Sequence, residues 1–177
     1  DVAPTASTTC MLAMGDALTM AVVQKRKFKV RDFAALHPGG SLGKQLTLRV
    51  KDVMRKGRQN PLVKADAAVQ RVLMKITSAH AGSATVINQQ GRCIGIFTDG
   101  DLRRCFKKLS THPKTAVSKF MTRKPTTISE DRLAIESISL FKKRRIDEIP
   151  VVNNSGKVTG LLDLQDLISQ GFSVSKK

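Results

Sequence analysis

The sequence predicts an α+β fold in which one unit of about sixty residues occurs twice. Three observations carry that expectation. TVINQQGRCIGIFTDGDL, residues 85–102, aligns with PVVNNSGKVTGLLDLQDL, residues 150–167, so that Val86 meets Val151, Gly91 meets Gly156, Gly95 meets Gly160 and Asp101 meets Asp166. Each stretch reads as a strand, a polar turn ending in Gly, a second strand and the start of a helix. Upstream, VKDVM (residues 50–54) answers VSKFM (residues 117–121), which extends the duplication from Val50 to the end of the chain.

Before the repeat, APTASTT supplies hydroxyls to cap a helix from about Thr8 to Lys25. Its apolar residues Met11, Leu12, Met14, Leu18, Val22 and Val23 surround most of the axis, so the helix should be buried in something larger. The longest apolar stretch, residues 10–23, is interrupted by Asp16 and reads as too short to span a bilayer. A second short helix near residues 30–36 leads into HPGGSLG. There Pro38 pushes His37 towards an extended conformation, and Gly39-Gly40 allow close approach of backbone to a ligand.

Within each copy the elements follow in the same order. A short helix ends at Met54 or Met121, and an extended piece follows at Pro61-Leu62-Val63 or Thr126-Thr127-Ile128. Val69, Val72, Leu73 and Ile76 then mark one face of a helix; Ala134, Ile138 and Phe141 do so in the second copy. A hairpin comes next, with NQQG and NNSG as its turns, and a last helix begins at Gly100 or Leu164. One such unit has a sheet face to cover and buries little alone. Two packed sheet to sheet would share a core and leave a cleft between them. The expected domains are residues 1–49, 50–110 and 111–177.

Composition sets outer bounds. The 177 residues are 41% hydrophobic with no Trp, no Tyr and 7 Phe, so the core must be aliphatic. The net charge of +17 gathers at Lys25-Arg26-Lys27, Arg103-Arg104, Lys107-Lys108 and residues 142–145. Such an excess attracts nucleic acid, phosphorylated metabolites or acidic headgroups. The same clusters fall at expected helix ends, where cations are favoured without any ligand. Cys10, Cys93 and Cys105 share no metal-site spacing, so no metal is expected, and free thiols fit a reducing cytoplasm. The opening DVAPTAST lacks the basic region of a signal peptide, and a cytoplasmic location is expected.

GIFTDGDL fits a pattern of Gly, two apolar residues, Ser or Thr, two variable residues and Asp. In this it resembles the CBS domain, which occurs as tandem pairs forming one module, the Bateman module. The resemblance implies a cleft that binds adenosyl nucleotides or other phosphorylated regulators. Thr98 and Asp101 bracket a helix start, where free N–H groups and the dipole favour a phosphate. Thr98 would donate to the phosphate and Asp101 would accept from ribose hydroxyls; read alone, either is a helix cap. In GLLDLQDL, Asp163 takes the place of Thr98 while Asp166 keeps the ribose position. A carboxylate there repels a phosphate at close range. The second site is therefore expected to be weak, altered or empty.

APTASTT, MGDAL, DFAALHPGGSLGKQL and RVKDVM resemble the junction in arabinose 5-phosphate isomerases, where an α/β sugar isomerase (SIS) domain joins a CBS pair. The resemblance makes residues 1–49 the C-terminal helical end of that domain, with most of it lying outside this chain. It implies interconversion of ribulose 5-phosphate and arabinose 5-phosphate, a step towards the Kdo of lipopolysaccharide, with no cofactor needed for the chemistry. His37 matches the family's active-site histidine, a group that titrates in the useful range for proton transfer. Ser7, Thr8 and Thr9 either line the sugar-phosphate pocket or cap their helix, and His80 and His112 read as surface residues. The chain alone is expected to be inactive. The expected partners are the sugar phosphate, a nucleotide or CMP-sugar regulator such as CMP-Kdo, and further copies of the chain (a dimer of CBS pairs, a tetramer when intact). Two other readings stand beside this one: a structural dimerisation module with an empty cleft, and a basic nucleic-acid-binding surface. The lack of Tyr and Trp weakens the last for single strands. No membrane partner is expected.

Overall fold

The computed structural model describes residues 3–29, 32–33, 36, 41–107 and 114–173. The chain divides into two compact units, Asp1–Leu46 and Thr47–Lys177.

The first unit is dominated by helix α1, Thr5–Lys25. It begins at Thr5, three residues before the expected Thr8, with Pro4 just ahead of it, and no side chain caps it. A proline at a helix start loses no hydrogen bond, because the first amides have no intrahelical acceptor. The hydroxyls expected as caps turn back instead. Ser7 and Thr8 donate to the Pro4 carbonyl at 3.1 and 2.8 Å, and Thr9 donates to Thr5 O at 2.9 Å. Helix α1 has no buried residue, and Met14 is 74% exposed. At 21 residues it is long and apolar enough to cross a membrane by length and composition, which corrects the sequence reading of residues 10–23 as too short. The added length comes from Ala and hydroxyl residues that a hydrophobic run alone does not count. Helix α2 is Ser41–Thr47. The short helix expected near residues 30–36 lies largely outside the described residues, although Asp32, Phe33 and Leu36 are helical. His37, Pro38, Gly39 and Gly40 lie outside them altogether, as does His112.

The second unit contains both copies of the repeat. The first runs through α3 (Val50–Val53), β1 (Leu62–Lys64), α4 (Val69–Ser78), β2 (Ser83–Ile87), β3 (Cys93–Thr98) and α5 (Asp99–Lys107). A 3-10 turn, Val117–Lys119, and β4 (Thr122–Arg123) lead into the second copy, with β5 (Ile128–Ser129), α6 (Ala134–Arg144), β6 (Glu148–Val152), β7 (Val158–Asp163) and α7 (Leu164–Ser169). Every element expected from the repeat is present, and the two hairpins share even their irregularity. A bulge falls at Val86/Ile87 in one and at Val151/Val152 in the other. In each turn an Asn carboxamide fixes the geometry: Asn88 Oδ1 accepts from the amides of Gln90 and Arg92, and Asn153 Oδ1 from those of Ser155 and Lys157. Gly91 and Gly156 then close the turns with φ of +75° and +77°, a conformation that penalises any Cβ.

The lead-in segments are exchanged between the copies. Strand β4 joins the first copy's sheet, in the order β1-β2-β3-β4, although it opens the second copy. Reciprocally, Arg55 pairs with Leu161 of β7, with N–H···O distances of 2.8 and 3.1 Å. Helix α3 follows the same rule. The Val50 and Lys51 amides donate to Arg132 O and Glu130 O, and Lys51 Nζ reaches Asp131 at 2.9 Å, holding that carboxyl below its usual range. Val50 and Met54 are buried in the second core, with Ile128, Phe141, Ile149 and Leu162. Val117 and Met121 are buried in the first, with Val63, Val72, Val86 and Phe97. Each buried aliphatic side chain contributes about 2 kcal/mol, so each copy donates several kcal/mol to the other's core.

Candidate functional site

Strand β3 delivers Thr98 to the mouth of the space between the copies, and α5 starts at the next residue. Asp101, one turn into that helix, is 1% exposed. Its Oδ2 accepts from the Thr98 amide and hydroxyl, each at 2.9 Å, while Thr98 Oγ1 in turn accepts from the Asp101 amide at 3.3 Å. Its Oδ1 accepts from Thr122 Oγ1 at 3.2 Å and pairs with Arg104. The pair therefore forms a reciprocal cap on α5, with the carboxylate spent on internal donors. Thr98 stays half-exposed and faces a cavity of about 740 Å³. That volume suits a nucleotide-sized ligand.

Both copies build this cavity. Arg103 comes from α5, Lys124 from the turn after β4, and Arg144 and Arg145 from the end of α6. These four cations are exposed, and no ion pair among the described residues involves them. Ile96, Ile146 and Pro150 add apolar wall, and Asp99, Asp147, Glu148 and Asp163 add carboxylates. Glu148 is half-buried and crosses between copies, accepting from the Gly82 amide at 2.8 Å. Burial pushes its carboxyl above the usual range. The Ser83 hydroxyl and Gly82 amide pull the other way, Asp163 raises it further, and Arg55 lowers it.

The equivalent position in the second copy is built differently. Asp163 caps α7 by accepting from the Gln165 amide at 2.8 Å. Its other oxygen meets Arg55 Nη2 at 2.7 Å, and Arg55 Nε meets Asp166 at 2.6 Å. Arg55 Nη1 completes the set by donating to His80 O at 2.8 Å. One guanidinium thus ties two carboxylates of the second copy to a carbonyl of the first, beside a smaller cavity of about 340 Å³. Sequence reasoning expected Asp163 to stand as a bare, repelling charge; here it is neutralised. Arg55 was missed, but the repeat carries the signal. One residue beyond VKDVM and VSKFM, Arg55 stands where the second copy has Thr122, and both reach the Asp of the copy that hosts them.

Among the described residues no group of three or more His, Cys, Asp or Glu side chains could hold a metal. Cys10 is exposed, Cys93 half-buried and Cys105 buried, all three free, and burial pushes the Cys93 thiol up, away from a reactive thiolate. His80 is exposed, as expected.

The CBS domain family matches residues 50–108 and 117–171, one match within each copy. The chain belongs to the CBS domain family. Its fold as a tandem CBS pair is shared with CBSX2 of Arabidopsis thaliana in complex with AMP, at a TM-score of 0.62 and 21% identity, over 70% of this chain and 95% of that one. Curated relatives include the arabinose 5-phosphate isomerase KpsF of Escherichia coli, 43% identical over 94% of this chain and 50% of its own. The arabinose 5-phosphate isomerase KdsD of Francisella tularensis is 38% identical over 95% of this chain and 51% of its own. The CBS-pair chain thus spans about half the length of these relatives.

Proposed function

We propose that this CBS pair is the regulatory portion of an arabinose 5-phosphate isomerase and that its first cleft binds one nucleotide-type anion. One observation carries the reading: Thr98 and four cations in no ion pair among the described residues, Arg103, Lys124, Arg144 and Arg145, surround a cavity of about 740 Å³, whereas Arg55 closes the equivalent position. The AMP held by CBSX2 supports a nucleotide, and the isomerase relatives support a nucleotide-sugar end product such as CMP-Kdo. The phosphate lies against Thr98 and the start of α5, and ribose hydroxyls exchange for the internal donors on Asp101. Asp163 and Asp166 serve Arg55 rather than a second ligand. Regulation requires the ligand to bind two quaternary states of a homo-oligomer with different affinity.

Calorimetric titration of the chain with AMP, ATP, CMP and CMP-Kdo tests this. One site per chain, with a raised melting temperature, is the expected result. Two equal sites, or none, would count against it. Weakening that follows salt alone, with no preference among the nucleotides, would favour the nucleic-acid reading instead.

His37 is assigned to sugar-phosphate isomerisation in the intact enzyme, with Ser7, Thr8 and Thr9 remaining in their helix. One histidine without its partners leaves most of the barrier in place, so the 177-residue chain is expected to be inactive. His37→Ala in the full-length enzyme should abolish turnover while leaving nucleotide binding to the CBS pair unchanged. Normal turnover would remove His37 from the mechanism.

A further inference from the structure

The first cleft has an acidic wall as well as a basic one, and an anion has to tolerate it. Of its four carboxylates, Asp99 and Asp147 are exposed to water, which screens them. Asp163 and Glu148 are not: Asp163 is buried and Glu148 half-buried. A charge held away from water acts on a neighbouring phosphate far more strongly than an exposed one. What offsets Asp163 is a single side chain from outside the cavity. Arg55 pairs with Asp163 at 2.7 Å through Nη2, while Glu148 is held by the Ser83 hydroxyl and the Gly82 amide, with Arg55 the weakest influence on it. The Arg55 side chain is 17% exposed, so solvent screens its pairing with Asp163 little. Arg55 belongs to the first copy in sequence but sits on the second copy's sheet.

We infer that Arg55 is a specificity-determining residue for the first cleft: it neutralises Asp163, the most buried carboxylate of the acidic wall, and so admits an anion it does not touch. Arg55 is a positioning residue in this sense, acting through Asp163. The inference rests on the first cleft being an anion site. Arg55 selects for charge, not for the nucleoside, which separates its role from simple support of the fold.

Titrations of AMP and of adenosine against wild type and four variants test it. Arg55→Met should weaken AMP about tenfold or more while leaving adenosine within about twofold. Arg55→Lys keeps the charge and should retain most of the AMP affinity. Arg55→Met combined with Asp163→Asn removes both charges and should recover most of the loss. Asp163→Asn alone leaves Arg55 paired with Asp166 and takes one negative charge out of the wall, so it should tighten AMP, a measurement that stands even if Arg55→Met fails to fold. Equal loss for AMP and adenosine in Arg55→Met, no recovery in the double variant, or unchanged AMP affinity in Asp163→Asn would each overturn the inference. Wild type that binds adenosine and AMP equally well would overturn the anion-site reading too, whereas a charge preference untouched by Arg55→Met overturns this inference only.

Discussion

Asp101 and Glu148 show how a carboxylate is used in this protein once it leaves water. Asp101 accepts from the Thr98 amide, the Thr98 hydroxyl and Thr122 Oγ1, so removing it leaves three part-buried donors without their acceptor. Asp101→Ala is expected to cost about 2–3 kcal/mol in urea unfolding. A loss within 0.5 kcal/mol, roughly what a surface change gives, would show that the cap is dispensable. Glu148 behaves in the opposite sense. Its folded pKa is raised by burial, so the stability it lends is complete below the unfolded carboxyl range and is lost as pH rises through the folded value. Glu148→Gln keeps an oxygen for the Gly82 amide and removes the charge. It should therefore melt higher than wild type at pH 7 and converge with it near pH 4. A variant that melts lower at pH 7 would show that Arg55 compensates the burial in full. The Thr98–Asp101 pair was legible in the sequence. Its present partners were not, since Thr122 and Arg104 reach Asp101 only through the exchange of lead-in segments and the turn of α5.

At the level of elements, the two glycines matched by the repeat have a reason that only packing reveals. A Cβ on Gly95 would fall on Met121 Sδ and lie 3.1 Å from Thr122 O. On Gly160 it would fall on Met54 Sδ and lie 2.8 Å from Arg55 O. Each glycine is therefore the place where the other copy's lead-in segment crosses the strand. The backbone oxygens cannot move away without breaking the ladder they belong to. Gly160→Ala is expected to destabilise by about 2 kcal/mol, and Gly95→Ala by somewhat less, in thermal unfolding. Neutral substitutions at both would show that the lead-in segments do not sit on β3 and β7. Helix α1 poses a different case. Its apolar residues all round the axis were legible as a demand for cover, and none of them is buried within its own unit.

For the whole molecule, exchange makes the pair, not the single copy, the unit that folds. A fragment of residues 47–110 keeps Val63, Val72, Val86 and Phe97 but loses Val117 and Met121 from their midst and leaves α3 without the core it serves. That fragment is expected to lack a cooperative thermal transition by circular dichroism, while residues 47–177 unfold cooperatively. A stable, cooperative single copy would show that the exchanged segments add little. The cleft depends on the same exchange, because Thr122 and Lys124 reach it on the segment that crosses over.

The sequence by itself determined the duplication, the order of elements, the hairpin turns and the Thr98–Asp101 pair, because these rest on periodicity, turn chemistry and residue spacing within a few dozen positions. It also carried the family, since a short pattern of Gly, Thr and Asp at fixed spacing marks one strand-to-helix junction. Only the tertiary structure decided which core each lead-in helix enters and which Asp each lead-in residue meets. Those are choices among distant partners of equal hydrophobicity, and local sequence does not distinguish them. Arg55 is the clearest instance: it stands 108 positions from Asp163 and 111 from Asp166, and its charge has meaning only where the crossing strand brings them together.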